Sequence, residues 1–219
     1  MGFRLRDDLH FCRSGDRTVF LDLRADRYFS LPSKADMAFQ EVVQKGSLAA
    51  RPEVDCLLGL GVLIEGPPDT RPRPCAPAHP PRDSMVDVMT PRPSPLSLAT
   101  ASLALAQAEA QLRFMTLHRM VGRIAWIKTR LTPLTNPELK LHAAVEAFSA
   151  LSRWVSARDR CLPRSMAMAK LLLSRDVGVE MVFGVAARPF RAHCWVQYEH
   201  IVLNDHLENI HSYTPILVI

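Results

Sequence analysis

Three residues of the C-terminal half have the types and the order of a thiol-based catalytic triad. Cys161 stands at the predicted start of a helix, where free backbone N–H groups and the helix dipole favour a thiolate. His193 and Asp205 fall on successive predicted strands, close to a tight turn at Glu199-His200. A carboxylate beside one ring nitrogen would orient the imidazole and leave the other nitrogen to take the thiol proton. The sequence therefore predicts a Cys161-His193-Asp205 triad that acts through a covalent acyl-enzyme.

The charges near Cys161 agree with this prediction, because nearby cations lower the pKa of a thiol. Three arginines flank the cysteine in sequence: Arg158, Arg160 and Arg164. The backbone N–H of Cys161 itself is one natural donor to an oxyanion.

Cys194 is the rival nucleophile, since it adjoins His193 in sequence. Neighbouring residues on a strand point to opposite faces, so a His193 that faces the helix implies a Cys194 that faces away. We therefore interpret Cys194 as a packing residue, and we expect Trp195 to shield the triad from the same face as His193. Three further cysteines have no histidine or other base nearby in sequence, and we expect them to have no catalytic role: Cys12, Cys56 and Cys75.

No metal site is predicted. Three histidines lie near Asp205, but their spacing does not match the helical i, i+4 pairs of a typical zinc site: His200, His206 and His211. The five cysteines are odd in number and form no CxxC pair, which argues against a disulfide framework and a cysteine-type zinc site. No phosphate-binding glycine loop is present, so no bound cofactor is predicted.

The elements that must position the triad form a predicted α+β domain. Ala, Leu and Met recur at helical spacing in three segments: Ser97–Met120, Ile124–Leu131 and Pro137–Ala157. A further helix is predicted over Cys161–Ser174. Four β-rich segments follow: Val179–Val185, Ala192–Tyr198, Ile201–Asn204 and Pro215–Ile219. Helices followed by sequential antiparallel strands are typical of an α+β fold.

A proline-rich stretch divides the chain. Ten of the 17 prolines lie between Pro67 and Pro95, which favours an extended linker over residues 67–96. The predicted modules are residues 1–66 and 97–219. In the first, a hairpin of Thr18–Leu23 and Arg27–Leu31 precedes helices over Ser33–Gln44 and Pro52–Leu60, with a short apolar segment at Val62–Ile64. A sheet edge beside a helix is a place where a peptide can add as a strand, although a purely structural module stays open.

Composition excludes several classes of protein. The net charge of +5 arises in residues 97–219, mostly from isolated arginines, which is not the dense basic stripe of a nucleic-acid binder. No signal peptide and no membrane-spanning run of about 18 apolar residues is found. We expect a bacterial cytoplasmic protein without membrane or nucleic-acid partners.

The strings CLPRSMAMAKLL, VFGVAARPFRAHCWVQ and VLND resemble the lasso peptide biosynthesis B proteins, closely from about Arg158 onward and elsewhere in layout. That resemblance implies a transglutaminase-like, papain-like cysteine protease domain with helices before an antiparallel sheet. The family triad falls on Cys161, His193 and Asp205.

The resemblance also implies partners. The family removes the leader of a ribosomally made precursor peptide and works with an ATP-dependent macrolactam-forming cyclase. Leader removal in the family depends on ATP, although no residue here is recognisable as binding it. The fused N-terminal module implies a winged-helix-like recognition element, with the leader along one strand and against the second helix. The implied leader-binding residues are Arg27, Tyr28, Phe29, Leu31, Glu53 and Leu57.

Two other functions stay open from the sequence. A transglutaminase-type acyltransferase would use the same thiol chemistry with an amine as acceptor. A precursor-binding chaperone for the cyclase would carry an inert triad.

Overall fold

In a computed structural model, which describes residues 2–46, 52–68, 70–154 and 160–219, the chain adopts an α+β fold. The N-terminal elements are β1 (Gly2–Leu5), β2 (Leu9–Ser14), β3 (Arg17–Asp22), β4 (Arg27–Ser30), α1 (Ser33–Lys45), α2 (Pro52–Gly59) and β5 (Leu63–Gly66). The predicted hairpin is β3–β4, and the two predicted helices are α1 and α2. The sequence reading missed β1 and β2: β2 extends the hairpin to a three-stranded sheet, and β1 pairs antiparallel with β5.

One face of the three-stranded sheet closes the core of the N-terminal module. Phe20 pairs with Phe11 on β2 and with Phe29 on β4, so three aromatic rings share this face. The Phe20 and Phe29 rings stack at 5.0 Å, and Phe39 of α1 meets Phe20 edge-on at 4.9 Å. Offset and edge-to-face pairs of this kind stabilise a core beyond the area they bury. The hairpin and helices are consistent with a winged-helix-like module.

The opposite face of the same sheet packs against the C-terminal half. Cys12, Val19 and Leu21 belong to one continuous core with the C-terminal helices and strands, and Tyr28 packs against it. At the rim of this interface, the backbone N–H of Ala187 donates to the Ser14 hydroxyl at 3.2 Å. The strand β3 is therefore buried on both faces, and the two halves of the chain meet in a shared core.

Residues 70–82 of the proline-rich stretch have no regular secondary structure, and the end of the stretch is built into the C-terminal fold. Asp83–Ser84 forms β6, and Met85–Val88 forms a short helix, α3. Neither element was predicted. Upstream, the backbone carbonyl of His79 accepts a hydrogen bond from the buried amide of Gln197 at 2.8 Å. The predicted linker therefore contacts the C-terminal half well before its predicted end at residue 96.

The C-terminal elements are α4 (Pro95–Phe114), α5 (Leu117–Lys128), α6 (Glu138–Trp154), α7 (Cys161–Leu173), β7 (Glu180–Ala187), β8 (Phe190–Tyr198), β9 (Ile201–Val202), α8 (Leu207–Ile210) and β10 (Thr214–Val218). The strand order is β10-β7-β8-β9-β6, antiparallel except for the parallel β6–β9 pair. The prediction of one helix over Ser97–Met120 is wrong, because Met115 and Thr116 have extended backbone and α5 begins after them. Ile124–Leu131 is not a separate helix either, since Ile124 lies inside α5. The predicted end of the third helix, residues 155–157, lies outside the described residues.

Within the described part of the chain, no helix has the length and apolar character needed to cross a lipid bilayer.

Candidate active site

Cys161 occupies the first position of α7, a helix whose central residues are buried between the other helices and the sheet. The residue before it, Arg160, has non-helical backbone and gives the helix no side-chain cap. The first-turn N–H groups of a helix have no intrahelical acceptor, so this uncapped end favours a negative charge. The sulfur atom of Cys161 is only half-buried and lies in the wall of a cleft.

His193 and Asp205 form a short hydrogen bond, with Nε2 of the ring 2.5 Å from Oδ2 of the carboxylate. His193 lies on β8 opposite Gly184 of β7. Asp205 lies just beyond β9, which ends at Val202, so the predicted strand Ile201–Asn204 is too long. Since Nε2 faces Asp205, Nδ1 is the ring nitrogen left for the thiol.

The carboxylate of Asp205 is held from both sides. Its Oδ1 atom accepts hydrogen bonds from the backbone N–H of His206 at 2.7 Å and from the side-chain amide of Asn209 at 2.8 Å. The hydroxyl of Ser84, on the linker strand β6, donates to the backbone carbonyl of Asp205 at 2.7 Å. The orientation of the triad carboxylate therefore depends on residues from β6 and α8 as well as on its own loop.

Electrostatics favour a thiolate–imidazolium pair. A hydrogen bond from the Cys194 thiol, followed by the hydrogen bond and charge of His193, outweighs burial and lowers the pKa of Cys161 to about 4. Burial alone would lower the pKa of His193, but Asp205 and Cys161 together raise it to about 9. Burial opposes ionisation of Asp205, yet the hydrogen bonds from His193 and Asn209 hold its pKa below the ordinary value. At pH values between the pKa of Cys161 and that of His193, the thiol proton resides on the imidazole.

The predicted orientation of Cys194 is wrong. Cys194 does not face away from the helix: it is 3% exposed and packs in the core beneath α7, and it lowers the pKa of Cys161. His193 instead shares the opposite face with Trp195, whose ring lies 6.3 Å away, as the sequence predicted. Cys161, at the first position of α7, nevertheless lines the same cleft as His193 and Asp205. Burial raises the pKa of Cys194 well above its ordinary value, so this thiol remains protonated.

Gly184 makes room for the aromatic face of the site. A Cβ atom at Gly184 would lie 2.7 Å from the Trp195 ring and 2.9 Å from Cβ of Tyr213, which is closer than real contacts allow. The Tyr213 ring lies 5.2 Å from the His193 ring. The glycine therefore lets both aromatic side chains pack around His193.

The triad borders a cleft of about 750 Å³. Its walls include Cys161, His193 and Asp205, together with Arg164 of α7 and Arg191 of β8. This volume is large enough for several residues of an extended peptide. The arrangement can therefore present a thiolate to a peptide carbonyl and a proton to the departing amine.

Residues 102–218 match the profile of the transglutaminase-like superfamily, which is more than half of the chain. The chain belongs to the transglutaminase-like superfamily. It is also 31% identical over 88 residues to the microcin J25-processing protein McjB of Escherichia coli. This match supports the resemblance found in the sequence. It covers 37% of this chain and 42% of that protein, so the chain spans less than half of the relative's length. No solved structure matches the chain significantly.

A buried polar network holds α7 of this transglutaminase-like domain on its sheet. The Ser165 hydroxyl donates to the carbonyl of Cys194 at 2.9 Å and accepts from the Asn204 amide at 2.8 Å. The side-chain carbonyl oxygen of Asn204 in turn accepts a hydrogen bond from the backbone N–H of Val196 at 2.8 Å. Sequence reasoning did not assign these roles, although Ser165 and Asn204 stand within the strings that carry the resemblance.

The other cysteines lack the electrostatics of the transglutaminase-like site. The fold brings Cys75 next to a histidine that is distant in sequence: the Cys75 sulfur lies 3.8 Å from Nδ1 of His10. Burial raises the pKa of Cys75 and lowers that of His10, which is opposite to an activated pair. Burial also raises the pKa of Cys12 to about 12. Among the described residues, no group of histidine, cysteine and carboxylate side chains could hold a metal ion.

The residues expected to bind a leader occupy two elements of the N-terminal module. On β4, Arg27 is exposed, Tyr28 faces the catalytic half and Phe29 faces the N-terminal core, while Leu31 follows the strand. Glu53 of α2 is partly exposed. Leu57 is 0% exposed and packs inside the N-terminal core, so it does not offer a surface to a peptide. The flanking Arg158 lies outside the described residues.

Proposed function

We propose that this protein is a cysteine peptidase of the bacterial cytoplasm that removes the leader from a ribosomally made precursor during lasso peptide maturation. The observation that carries the proposal is the geometry of Cys161, His193 and Asp205 in a peptide-sized cleft, with a thiol of pKa about 4 beside an imidazole of pKa about 9. The Escherichia coli relative is a microcin J25-processing protein, which supports a peptide precursor as the substrate here.

The reaction follows from the proton positions. The Cys161 thiolate attacks the carbonyl carbon at the last leader residue, and the free N–H groups at the start of α7 stabilise the oxyanion. His193 gives its Nδ1 proton to the departing core-peptide amine, which leaves the leader as a thioester on Cys161. His193 then takes a proton from water, whose hydroxide releases the leader acid and restores the thiolate–imidazolium pair.

The position of β4 supports leader capture by strand addition. In the described part of the chain β4 pairs only with β3, so its other edge offers backbone groups to a peptide. The Tyr28 ring of β4 lies 5.5 Å from the ring of Phe190, which begins the strand that carries His193. Tyr28 and Cys161 both pack against the core that contains Cys194. A leader added to β4 would therefore enter the site from a fixed direction.

A cyclase partner and an ATP requirement belong to the proposal by family resemblance alone. The sequence holds no glycine-rich phosphate loop, and no step above consumes ATP. If ATP stimulates leader removal, we attribute the effect to the partner cyclase.

The test uses the full-length protein and candidate precursor peptides from its own genome, with mass spectrometry of the products. The expected products are free leader acid and free core peptide, and Cys161→Ser protein should yield neither. An added amine such as glycinamide distinguishes acyl transfer, because a transferase would release leader amide in place of leader acid. Precursor that binds and stays intact in wild-type protein, with and without ATP and cyclase, would contradict the peptidase proposal and favour a chaperone.

A further inference from the structure

Arg164 brings a positive charge into the cleft one helical turn from the nucleophile. Residues three apart on a helix lie on one face, with Cβ atoms about 5–6 Å apart, so Cys161 and Arg164 are neighbours along α7. Both line the cleft. The side chain of Arg164 is half-buried and also borders a small apolar crevice with Phe148 and Leu151. Its carbon stem is therefore held by packing while its head faces the cleft.

The guanidinium of Arg164 has no acceptor among the described residues. By contrast, Arg160 at the start of the same helix forms an ion pair with Glu109 at 2.8 Å. Asp205 lines the same cleft, but His193 engages its Oδ2 and the His206 N–H and Asn209 engage its Oδ1. The five N–H donors of this partly buried side chain are therefore open to a ligand in the cleft. Consistent with this, burial lowers the pKa of Arg164.

We infer that Arg164 is a specificity residue that binds a carboxylate of the peptide substrate, from an acidic side chain close to the scissile bond. A guanidinium binds a carboxylate through two parallel hydrogen bonds, which fixes position as well as charge. Arg191 lies in the same cleft with its guanidinium 5.5 Å from the Tyr213 ring, and it adds to the positive potential there. This inference rests on the proposed function, since it assumes that Cys161 attacks a peptide held in this cleft.

The first test measures the chemistry of the cleft without any peptide. Iodoacetate and iodoacetamide alkylate the same thiolate and differ by one carboxylate, so the ratio of their rates at Cys161 reports carboxylate binding beside the sulfur. Dividing the two rates cancels any change in the fraction of thiolate. Arg164→Gln should lower the iodoacetate-to-iodoacetamide ratio about tenfold or more, equivalent to about 1.4 kcal/mol. Arg164→Lys should keep part of the preference.

The matched control is Arg160→Gln, which removes an equal charge beside Cys161 that is already paired with Glu109. Its ratio should equal that of the wild type. Because Arg164→Gln could fold poorly, wild-type protein provides a second measurement: acetate should slow labelling by iodoacetamide more than equimolar chloride does. An unchanged ratio in a folded Arg164→Gln protein, or no protection by acetate, would overturn the inference.

The second test uses the precursor. Each Asp or Glu within a few residues of the cut is replaced by its amide, and kcat/KM is measured with wild-type and Arg164→Gln protein. One replacement should cost the wild type about tenfold and cost the variant little, because the two changes remove the same contact. Equal losses in both proteins would overturn the inference. If no precursor is cleaved while the alkylation ratios behave as expected, the proposed function fails and the anion site remains.

Discussion

Replacing Asp205 by Asn tests the triad with the smallest change of shape. The amide oxygen of Asn can still accept from the His206 N–H and Asn209, so the loop keeps its anchors. The amide nitrogen then faces Nε2 of His193, which must become an acceptor. The neutral ring consequently carries its proton on Nδ1, towards Cys161, and cannot take the thiol proton.

The size of the effect follows from the pKa of His193. Its rise from the ordinary value of 6.5 to about 9 favours the imidazolium by about 3 kcal/mol, since each pKa unit is worth about 1.4 kcal/mol. Asp205 supplies the larger part of this preference, ahead of Cys161. Losing it should lower kcat by roughly 10²-fold, because about 1.4 kcal/mol corresponds to a tenfold rate.

The pH profile gives a second, independent readout. In the wild type the thiolate–imidazolium pair exists from about pH 4, where Cys161 ionises, to about pH 9, where His193 loses its proton. In Asp205→Asn the pKa of His193 falls and that of Cys161 rises, so the active window narrows from both sides. Cleavage is followed by mass spectrometry across pH, and leader affinity by fluorescence anisotropy. A variant that cleaves at the wild-type rate with an unchanged profile would remove Asp205 from the triad.

Further predictions address the nucleophile, its neighbour, the linker and the recognition strand. Cys161→Ala should abolish cleavage and keep leader affinity, as measured by product analysis and anisotropy. Cys194→Ala should retain most cleavage, but its acid limb should move to higher pH, because the Cys194 hydrogen bond lowers the pKa of Cys161. Ser84→Ala removes the hydrogen bond to the Asp205 carbonyl and should lower the free energy of unfolding by about 1 kcal/mol in urea melts. Arg27→Glu on the exposed side of β4 should weaken leader binding and raise KM with kcat unchanged.

For three of these variants, a specific result would contradict the prediction. Full activity of Cys161→Ala would move the chemistry to another thiol. An acid limb unmoved by Cys194→Ala would show that the contact between the two thiols does not control ionisation. Leader affinity unaffected by Arg27→Glu, with Arg17→Glu as the control on the neighbouring strand, would argue against β4 as the recognition edge.

The sequence revealed the parts of the site that have local signals. A cysteine at a helix start and a histidine in an alternating strand are visible without knowledge of tertiary contacts, and the structure brings Cys161, His193 and Asp205 together. The orientation of Cys194 was not predictable in the same way, because strand alternation gives two faces without saying which one meets the helix. Here the cysteine faces the helix, and the histidine reaches the thiol from the other face.

The remaining misses have a common physical cause, which is contact between distant segments. Ser84 lies 121 residues before Asp205, and nothing in the proline-rich stretch signals a strand there. The strand β2 lacks a clean polar and apolar alternation because both of its faces are covered. The alternation of polar and apolar residues reveals a strand that has one solvent-exposed face, but it does not reveal a strand that is buried on both faces.

The enclosed sheet constrains how such a protein can change its substrate. A graft that exchanges residues 1–66 for the corresponding module of a relative replaces Cys12, Val19 and Leu21, which fill space between the C-terminal helices and strands. A foreign module that binds its own leader well would still leave gaps or clashes at this seam, at a cost of several kcal/mol for poorly matched side chains. If β4 binds the leader as proposed, new leader specificity is therefore easier to acquire by substitutions along the outer edge of β4 than by exchange of the whole module.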